Sequence, residues 1–407
     1  MMRHLRLTEH RPSTTSLTSE ELSRLRKLVP SVSTTPGDRD GEWILKPGSS
    51  VGIVRDDHLV VEIQPKIGIE RLLFLVSYSL QPDMWADLTA PMRSDQTLVD
   101  AMATILTRAV RSALRAGVIQ AYEVREESLL TVKGRVRWSD QMRTHHGRLL
   151  PIEVSYDEFT EDNLLNQILK SALIELERLP FRDETAAREL RSTAQLLANV
   201  SYRRFDPNRL PTPAFNRLNA HYKTAVLLAL VVLGRSSSEA GAGSVSTATF
   251  LINMNQVFED FVTVALREAL GLTESQFPQN AAGRRLFLDA DRKIGLEPDL
   301  SWWEGERCVF VGDVKYKRTN AAGILHPDLY QLHSYVTATK LEEGLLVYAA
   351  GEETDALHEV PGSGKRLRVT TLDPSGQPDE ILRAVSDVAT SIIEIRGAEL
   401  PVMAYSA

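Results

Sequence analysis

The sequence has a single cysteine among its 407 residues. One thiol excludes an intramolecular disulfide and any cysteine-based zinc site, and it fits a reducing compartment. Cys308 falls in the apolar run Cys308-Val309-Phe310-Val311, which makes it a packing residue. Long hydrophobic runs are missing too. The longest, Ala225 to Leu233, falls far short of the ~20 residues a membrane span needs, so it reads as a buried helix. The N-terminus is polar and charged, so no secretory leader is expected, and the cytoplasm is the expected location. Positive charge is not in excess: 47 Lys and Arg against 54 Asp and Glu leave a net charge of −7. A chain so balanced does not grip nucleic acid over its whole surface. Local patches still can, and carboxylate metal sites themselves add negative charge, so strong nucleic-acid binding is expected to come from a partner. There is also no G-x-x-x-x-G-K-[ST] phosphate loop, so the chain is not expected to hydrolyse a nucleoside triphosphate alone.

What is present is an ordinary globular composition, 43% hydrophobic and 25% charged, long enough for about two or three domains. Thr18-Ser19-Glu20-Glu21 opens a helix over Ser19 to Leu28. Alternation then predicts strands at Trp43 to Leu45, Val51 to Val54 and Leu59 to Ile63. Gln64-Pro65-Lys66-Ile67-Gly68 reads as a turn, without assignable chemistry, ahead of a helix from Ile69 to Leu80. A second helix is expected over Thr97 to Ala116, then strands at Ala121 to Glu126, Leu129 to Trp138 and Ile152 to Tyr156. Met1 to about Leu150 is therefore read as a β-rich domain with inserted helices. From Asp162, a candidate N-cap, the period turns helical, with helices over Leu164 to Leu176, Thr185 to Ala198 and Pro213 to Leu233. Residues 151–235 form a helical middle region. The stretch 236–244, rich in Ser, Gly and Ala, reads as a linker. Residues 245–407 then run helix (Asn255 to Leu270), strands (Leu286 to Ala290, Pro298 to Trp303, Arg307 to Lys315), helix (His326 to Thr339), strands (Gly344 to Ala350, Leu367 to Thr371) and helix (Pro378 to Ile395). That order specifies an α/β core with a mixed sheet, α+β over the whole chain.

Chemistry concentrates in Glu297-Pro298-Asp299-Leu300 and Asp313-Val314-Lys315. Period two places Asp313 and Lys315 on one strand face, and a hairpin through Trp302 to Arg307 brings Asp299 beside Asp313. Two carboxylates at one sheet edge suit Mg²⁺, a hard cation that retains waters and completes its shell with phosphate oxygens. A neighbouring lysine can orient an attacking water, or help deprotonate it, and offset phosphate charge. Glu259, on the preceding helix, is the candidate third carboxylate, with Asp260 and Glu297 as competitors. An Asp-x-Lys strand equally describes a solvated face with a cross-strand ion pair. Against that, the lead-in Cys308 to Val311 is apolar, and charges ending a buried strand need a reason. Pro298 also fixes Asp299 at a strand start.

Pro298-Asp299 with Asp313-Val314-Lys315 resembles the signature of the PD-(D/E)XK nuclease superfamily. Gln331-Leu332-His333-Ser334-Tyr335 matches the Q-x-x-x-Y motif of its RecB-like branch. Ile63 to Gly68, Lys133-Gly134-Arg135-Val136, Asp162 to Asn166, and Asn253-Met254 with Phe258-Glu259 are similar in order and spacing to the McrC family, over roughly Trp43 to Val347. That family is the nuclease subunit of McrBC-type, modification-dependent restriction systems. The resemblance implies a Mg²⁺-dependent endonuclease cutting double-stranded DNA that carries a modified base such as 5-methylcytosine. It implies a partner, an McrB-like AAA+ GTPase in a hexameric ring, which binds the GTP, reads the modified base and is stimulated by the N-terminal part of this chain. It makes Asp299, Asp313 and Glu259 metal ligands, Lys315 the catalytic lysine, and Gln331 and Tyr335 supports of the site or its DNA. One site per chain makes pairing of two nuclease subunits an expectation for double-strand cleavage. Two other readings stay open: a non-catalytic activator stalk on an AAA+ ring, and a RecB-like nuclease acting alone.

The remaining polar features read as structure. His145-His146 is expected in a loop without a carboxylate partner. Arg203-Arg204, Arg209 and Arg217 suggest helix capping and surface pairing ahead of a DNA contact. Lys317 and Arg318 fit a phosphate contact and a solvated loop equally well.

Overall fold

The computed structural model describes residues 2–82, 96–240, 246–279, 284–318, 326–350 and 355–397. The chain divides into two compact units, one of Met1–Arg3, Ile53–Val60 and Arg93–Phe250, the other of His4–Gly52, Val61–Met92 and Leu251–Ala407. This division differs from the sequence-read boundaries. Residues expected in a domain from Met1 to Leu150 cluster instead with the C-terminal third. The reason is apolar: the helix Ile69–Leu80 buries Leu72 to Tyr78, and the Phe74 and Tyr78 rings each lie 5.5 Å from Phe261. Of the expected linker, Ser236–Ala240 is a strand paired antiparallel with Ser246–Asn253, Ser236 opposite Phe250. Residues 241–245 lie outside the described residues. Thr247 and Thr249, β-branched, give that ribbon its strand preference.

In the first unit the helices Leu98–Ala113, Leu164–Glu177, Glu184–Gln195 and Lys223–Arg235 pack together. Asp100 is wholly buried, and its carboxylate both completes the Thr97 capping box and accepts from the backbone amides of Arg182 and Asp183. Three sequence expectations are corrected here. The N-cap of Leu164–Glu177 is Asn163, not Asp162. Asp162 is occupied by Gln167 and by the backbone and hydroxyl of Ser201. The last helix starts at Lys223, after a short turn at Ala220–Tyr222, rather than at Pro213. Asn216 and Asn219 bond to nearby backbone amides, which competes with a helix there. The expected strand Leu129 to Trp138 is reduced to Arg135–Val136, followed by the helix Trp138–His145. Gly134 turns the chain at φ +72, where a Cβ would sit 2.5 Å from the Ser155 carbonyl.

The second unit is built on a five-stranded sheet in the order Leu300–Glu304, Arg307–Arg318, Glu343–Ala350, Lys365–Thr371, Asp355–Val360. Its outer pairs are antiparallel and its two central pairs parallel, so the sheet is mixed, as the sequence order specifies. The edge strand Asp355–Val360 was not expected. The helices Met254–Ala269 and His326–Thr339 both pack on the strand Arg307–Arg318. The latter covers a core of Trp303, Cys308, Val311, Leu346, Leu367 and Val369 with Leu332, Tyr335 and Val336. It approaches so closely at Gly344 that a Cβ would meet Val336 at 2.5 Å. Smaller strands Ser13–Ser16, Glu42–Pro47 and Val32–Pro36 form a three-stranded sheet beside the helix Ser19–Leu28, whose Thr18–Glu21 capping box is formed. Among the described residues no helix is long and apolar enough to cross a membrane.

Candidate active site

The hairpin register places Leu300 opposite Gly312, which sets Asp299 beside Asp313 at the same sheet end. Asp299 Oδ2 accepts the Val314 backbone amide at 2.8 Å, so the loop carboxylate is fastened to the strand it faces. Asp313 is fully buried. Its Oδ2 is ion-paired with Lys315 Nζ, as period two allows. Its Oδ1 has no hydrogen-bond partner among the described residues. Burial, then the charge of Asp299, pushes the Asp313 carboxyl up to about 8. Burial alone would lower Lys315, but the charge and hydrogen bond of Asp313, with Asp299, hold it above its ordinary value. These groups titrate together, with the lysine cationic throughout the neutral range.

Glu259 is half-buried on Met254–Ala269, and burial, then Asp299 and Asp260, pushes its carboxyl up to about 7 against the opposing charge of Lys315. Its competitors are engaged otherwise. Asp260 accepts from Gln256 at 3.0 Å and from Gln279 at 2.5 Å. The Glu297 side chain is exposed, and it is the backbone carbonyl that meets Tyr335. That carbonyl accepts from the Tyr335 hydroxyl at 3.1 Å, and Gln331 Nε2 donates to the same hydroxyl at 2.7 Å. The glutamine and tyrosine, one helical turn apart, thus hold the Glu297-Pro298-Asp299 segment in place. Burial, then the charge of Asp313, raises the Tyr335 hydroxyl well above its usual range, so it stays a donor.

One residue was missed. Asp328 is buried, accepts from the Tyr348 hydroxyl at 2.7 Å, pairs with Lys317 Nζ at 3.3 Å and adds negative charge near Lys315. Its signal was an acid at i−4 and i−7 from the apolar positions Leu332 and Tyr335, where helical period predicts burial. Lys317 is therefore anchored rather than a free loop cation; the Arg318 side chain lies outside the described residues. Elsewhere, His145 is a correction: it ends a helix and lies 2.9 Å from the Glu153 carboxylate. Arg203, Arg204, Arg209 and Arg217 are exposed, with Arg203 stacked on Phe205. Cys308 is buried in the core.

Among the described residues no group of three or more His, Cys, Asp or Glu side chains is gathered tightly enough to hold a metal ion by itself. Mg²⁺ does not require one: one or two carboxylates suffice, with waters and substrate phosphate completing the shell. Asp313 Oδ1, buried and unpartnered beside a second carboxylate, is the kind of oxygen such a cation takes, so the donor set fits.

The buried acid has a measurable consequence. A carboxyl neutral in the fold but ionised in the unfolded chain costs stability as pH rises from the unfolded value near ~4 through about 8. Asp313→Asn is therefore expected to raise the melting temperature of the metal-free protein, and to do so more at pH 8 than at pH 5. At ~2–4 °C per kcal/mol the shift is readable by calorimetry. A fall at both pH values would mean instead that Asp313 is held as a stabilising ion pair.

The chain matches the McrBC 5-methylcytosine restriction system component family over residues 45–349. It is 24% identical over 309 residues to the type IV methyl-directed restriction enzyme EcoKMcrBC of Escherichia coli strain K12, spanning 70% of this chain and 86% of that protein. In fold it is similar to a chain of the Thermococcus gammatolerans assembly of McrB AAA+ hexamers with bound McrC, with a TM-score of 0.57 at 15% identity, covering 96% of this chain and all of the other. The family match takes in the Asp299, Asp313, Lys315 and Tyr335 segments together with the strands Ser50–Arg55 and Leu59–Gln64, and the chain belongs to the McrBC 5-methylcytosine restriction system component family as an McrC-like subunit.

Proposed function

We propose that this chain is the DNA-cleaving subunit of an McrBC-type restriction complex, with a PD-(D/E)XK nuclease core that hydrolyses phosphodiester bonds of double-stranded, modified DNA. The observation that carries the reading is the buried, half-unpartnered Asp313 between Asp299 and Lys315 at one sheet end. Asp299 and Asp313 would hold Mg²⁺, with Glu259 as a third carboxylate; the ion supplies Lewis-acid polarisation of the scissile phosphate. Lys315 keeps its proton and is placed to orient the attacking water and offset charge on the phosphate oxygens. Glu259, whose carboxyl is pushed up to about 7 without the ion, would ionise as the ion binds. Gln331 and Tyr335 keep Asp299 at its post.

The likeness in fold to a chain from an assembly of McrB AAA+ hexamers with bound McrC supports an McrB-like AAA+ GTPase ring as partner. The net charge of −7 agrees with DNA recognition resting largely on that partner. In this reading GTP is bound and hydrolysed by the ring, this chain stimulates it, and two nuclease subunits meet to cut both strands. The test is a cleavage assay on methylated double-stranded DNA with this chain, the ring partner, GTP and Mg²⁺, each omitted in turn. Cleavage is expected only with all four present. Assembly and GTP hydrolysis without any cleavage would turn the chain into an activator stalk, and cleavage by the chain alone would make it a free-standing nuclease.

A further inference from the structure

The rear of the Asp313 strand carries a buried charge that packing does not ask for. Strand period puts Asp313 and Lys315 on one face and Val314 and Tyr316 on the other. Tyr316 is 2% exposed, and its hydroxyl donates to Glu9 Oε2 at 3.3 Å. Glu9 is itself 1% exposed, and the same oxygen accepts the Lys66 backbone amide at 3.2 Å. Lys66 Nζ stands 3.8 Å from the centroid of the Tyr316 ring, a cation on an aromatic face. His10 Nε2 lies 3.5 Å from Glu9 Oε1. The Phe258 ring packs on Tyr316 at 5.7 Å, and Phe258 immediately precedes Glu259. One tyrosine thus adjoins Lys315 along the strand, touches the neighbour of Glu259 on the helix, and receives two N-terminal side chains.

A leucine or methionine in place of Glu9 would fill the space without desolvating charge, and buried charges stabilise poorly compared with such packing. Burial, outweighing Lys66, holds the Glu9 carboxyl above its ordinary range. What a cation–π contact and a hydrogen bond add over an apolar plug is direction. Pro65 restricts the approach of Lys66 further, since its ring fixes φ and removes a donor.

We propose that Lys66, with Glu9, is a positioning residue for the nuclease centre: through Tyr316 it fixes Lys315, and through Phe258 it fixes Glu259. The inference rests on the proposed nuclease reading of that centre. It gives Gln64-Pro65-Lys66 the role that its sequence alone left unassigned, and it makes the N-terminal segment a part of the cutting site.

The test uses the full chain assembled with its ring partner on methylated DNA, comparing wild type, Lys66→Met, Lys66→Arg and the neutral pair Glu9→Gln/Lys66→Met. Cleavage kcat and KM, GTP hydrolysis by the ring, and amide hydrogen exchange over Val314 to Lys317 are measured together. Lys66→Met is expected to lower kcat by about tenfold or more, as small misplacements do, with KM and GTP hydrolysis unchanged. It should speed exchange in that strand, and Lys66→Arg should restore both. Unchanged kcat and exchange in Lys66→Met, or equal losses in the Met and Arg variants, would overturn the proposal. If Lys66→Met fails to fold because it strands Glu9, the neutral pair decides: slow cleavage supports the proposal and wild-type cleavage overturns it. Absence of cleavage by wild type would instead remove the nuclease reading. The exchange comparison then still judges the link, faster exchange supporting it and no change refuting it.

Discussion

Asp313→Asn should leave the assembled complex hydrolysing GTP but unable to cut DNA, with a loss of at least about 10²–10³-fold, the scale seen when one electrostatic group is removed from a catalytic centre. The substitution is nearly isosteric and changes one oxygen to an amide nitrogen. It removes the possibility of full ionisation, which a divalent cation would impose on a carboxyl otherwise held near about 8. Lys315 also loses the carboxyl oxygen that holds it, so two parts of the centre fail at once. A second readout is independent of cleavage. A cation bound only by the fold raises stability by RT ln(1 + [L]/Kd), about 2.7 kcal/mol at a hundredfold excess over Kd. The Mg²⁺-dependent rise in melting temperature should therefore be present in wild type and absent in Asp313→Asn. Cleavage that survives the substitution, with partner and GTP supplied, would remove Asp313 from the centre.

The second large effect concerns a fragment rather than a point change. A chain starting at residue 245, where the sequence reading places the nuclease domain, is expected not to fold cooperatively. Removing the helix Ile69–Leu80 exposes Phe261, which packs against both Phe74 and Tyr78. Deleting one buried aromatic side chain typically costs ~3–5 kcal/mol. Two of them, with Leu72, Leu73 and Leu75, exceed the ~5–15 kcal/mol that a whole domain has to spare. Tyr316 would also lose Glu9 and Lys66. Thermal unfolding followed by near-ultraviolet circular dichroism separates the outcomes. A sharp transition in the fragment, at the temperature of the full chain, would show that the C-terminal third is self-sufficient.

These expectations bear on what a sequence makes visible. Three helices were readable to the residue from local sequence alone: Ser19–Leu28 behind its capping box, Ile69–Leu80 and His326–Thr339. The Asp299, Asp313 and Lys315 set was readable for the same reason, because strand period and a short hairpin fix neighbours over small sequence distances. Long-range partnership was not. Nothing in the pattern of Ile69–Leu80 says which apolar face it will meet, and its partner lies beyond an entire other unit. Asp162 and Asn163 are equally good N-caps by type, and it is bonds from Gln167 and the distant Ser201 that engage Asp162 elsewhere. The strand Asp355–Val360 is mostly exposed at a sheet edge, so it lacks the apolar alternation that marks a buried strand. Asp328 hid in plain view, since an acid on a helix is normally a solvated one.

The interleaving of the two units also sets a timetable during synthesis. His4–Gly52 and Val61–Met92 leave the ribosome well before Leu251–Ala407 exists. At ~5–20 residues per second that gap lasts of the order of ten seconds or more. Through it the apolar face of Ile69–Leu80 has no permanent cover, while Arg93–Phe250 can already settle. A cell translating this message is therefore expected to hold a client for its chaperones first, and to see the Asp299, Asp313 and Lys315 cluster assembled only once the last third of the chain has been made.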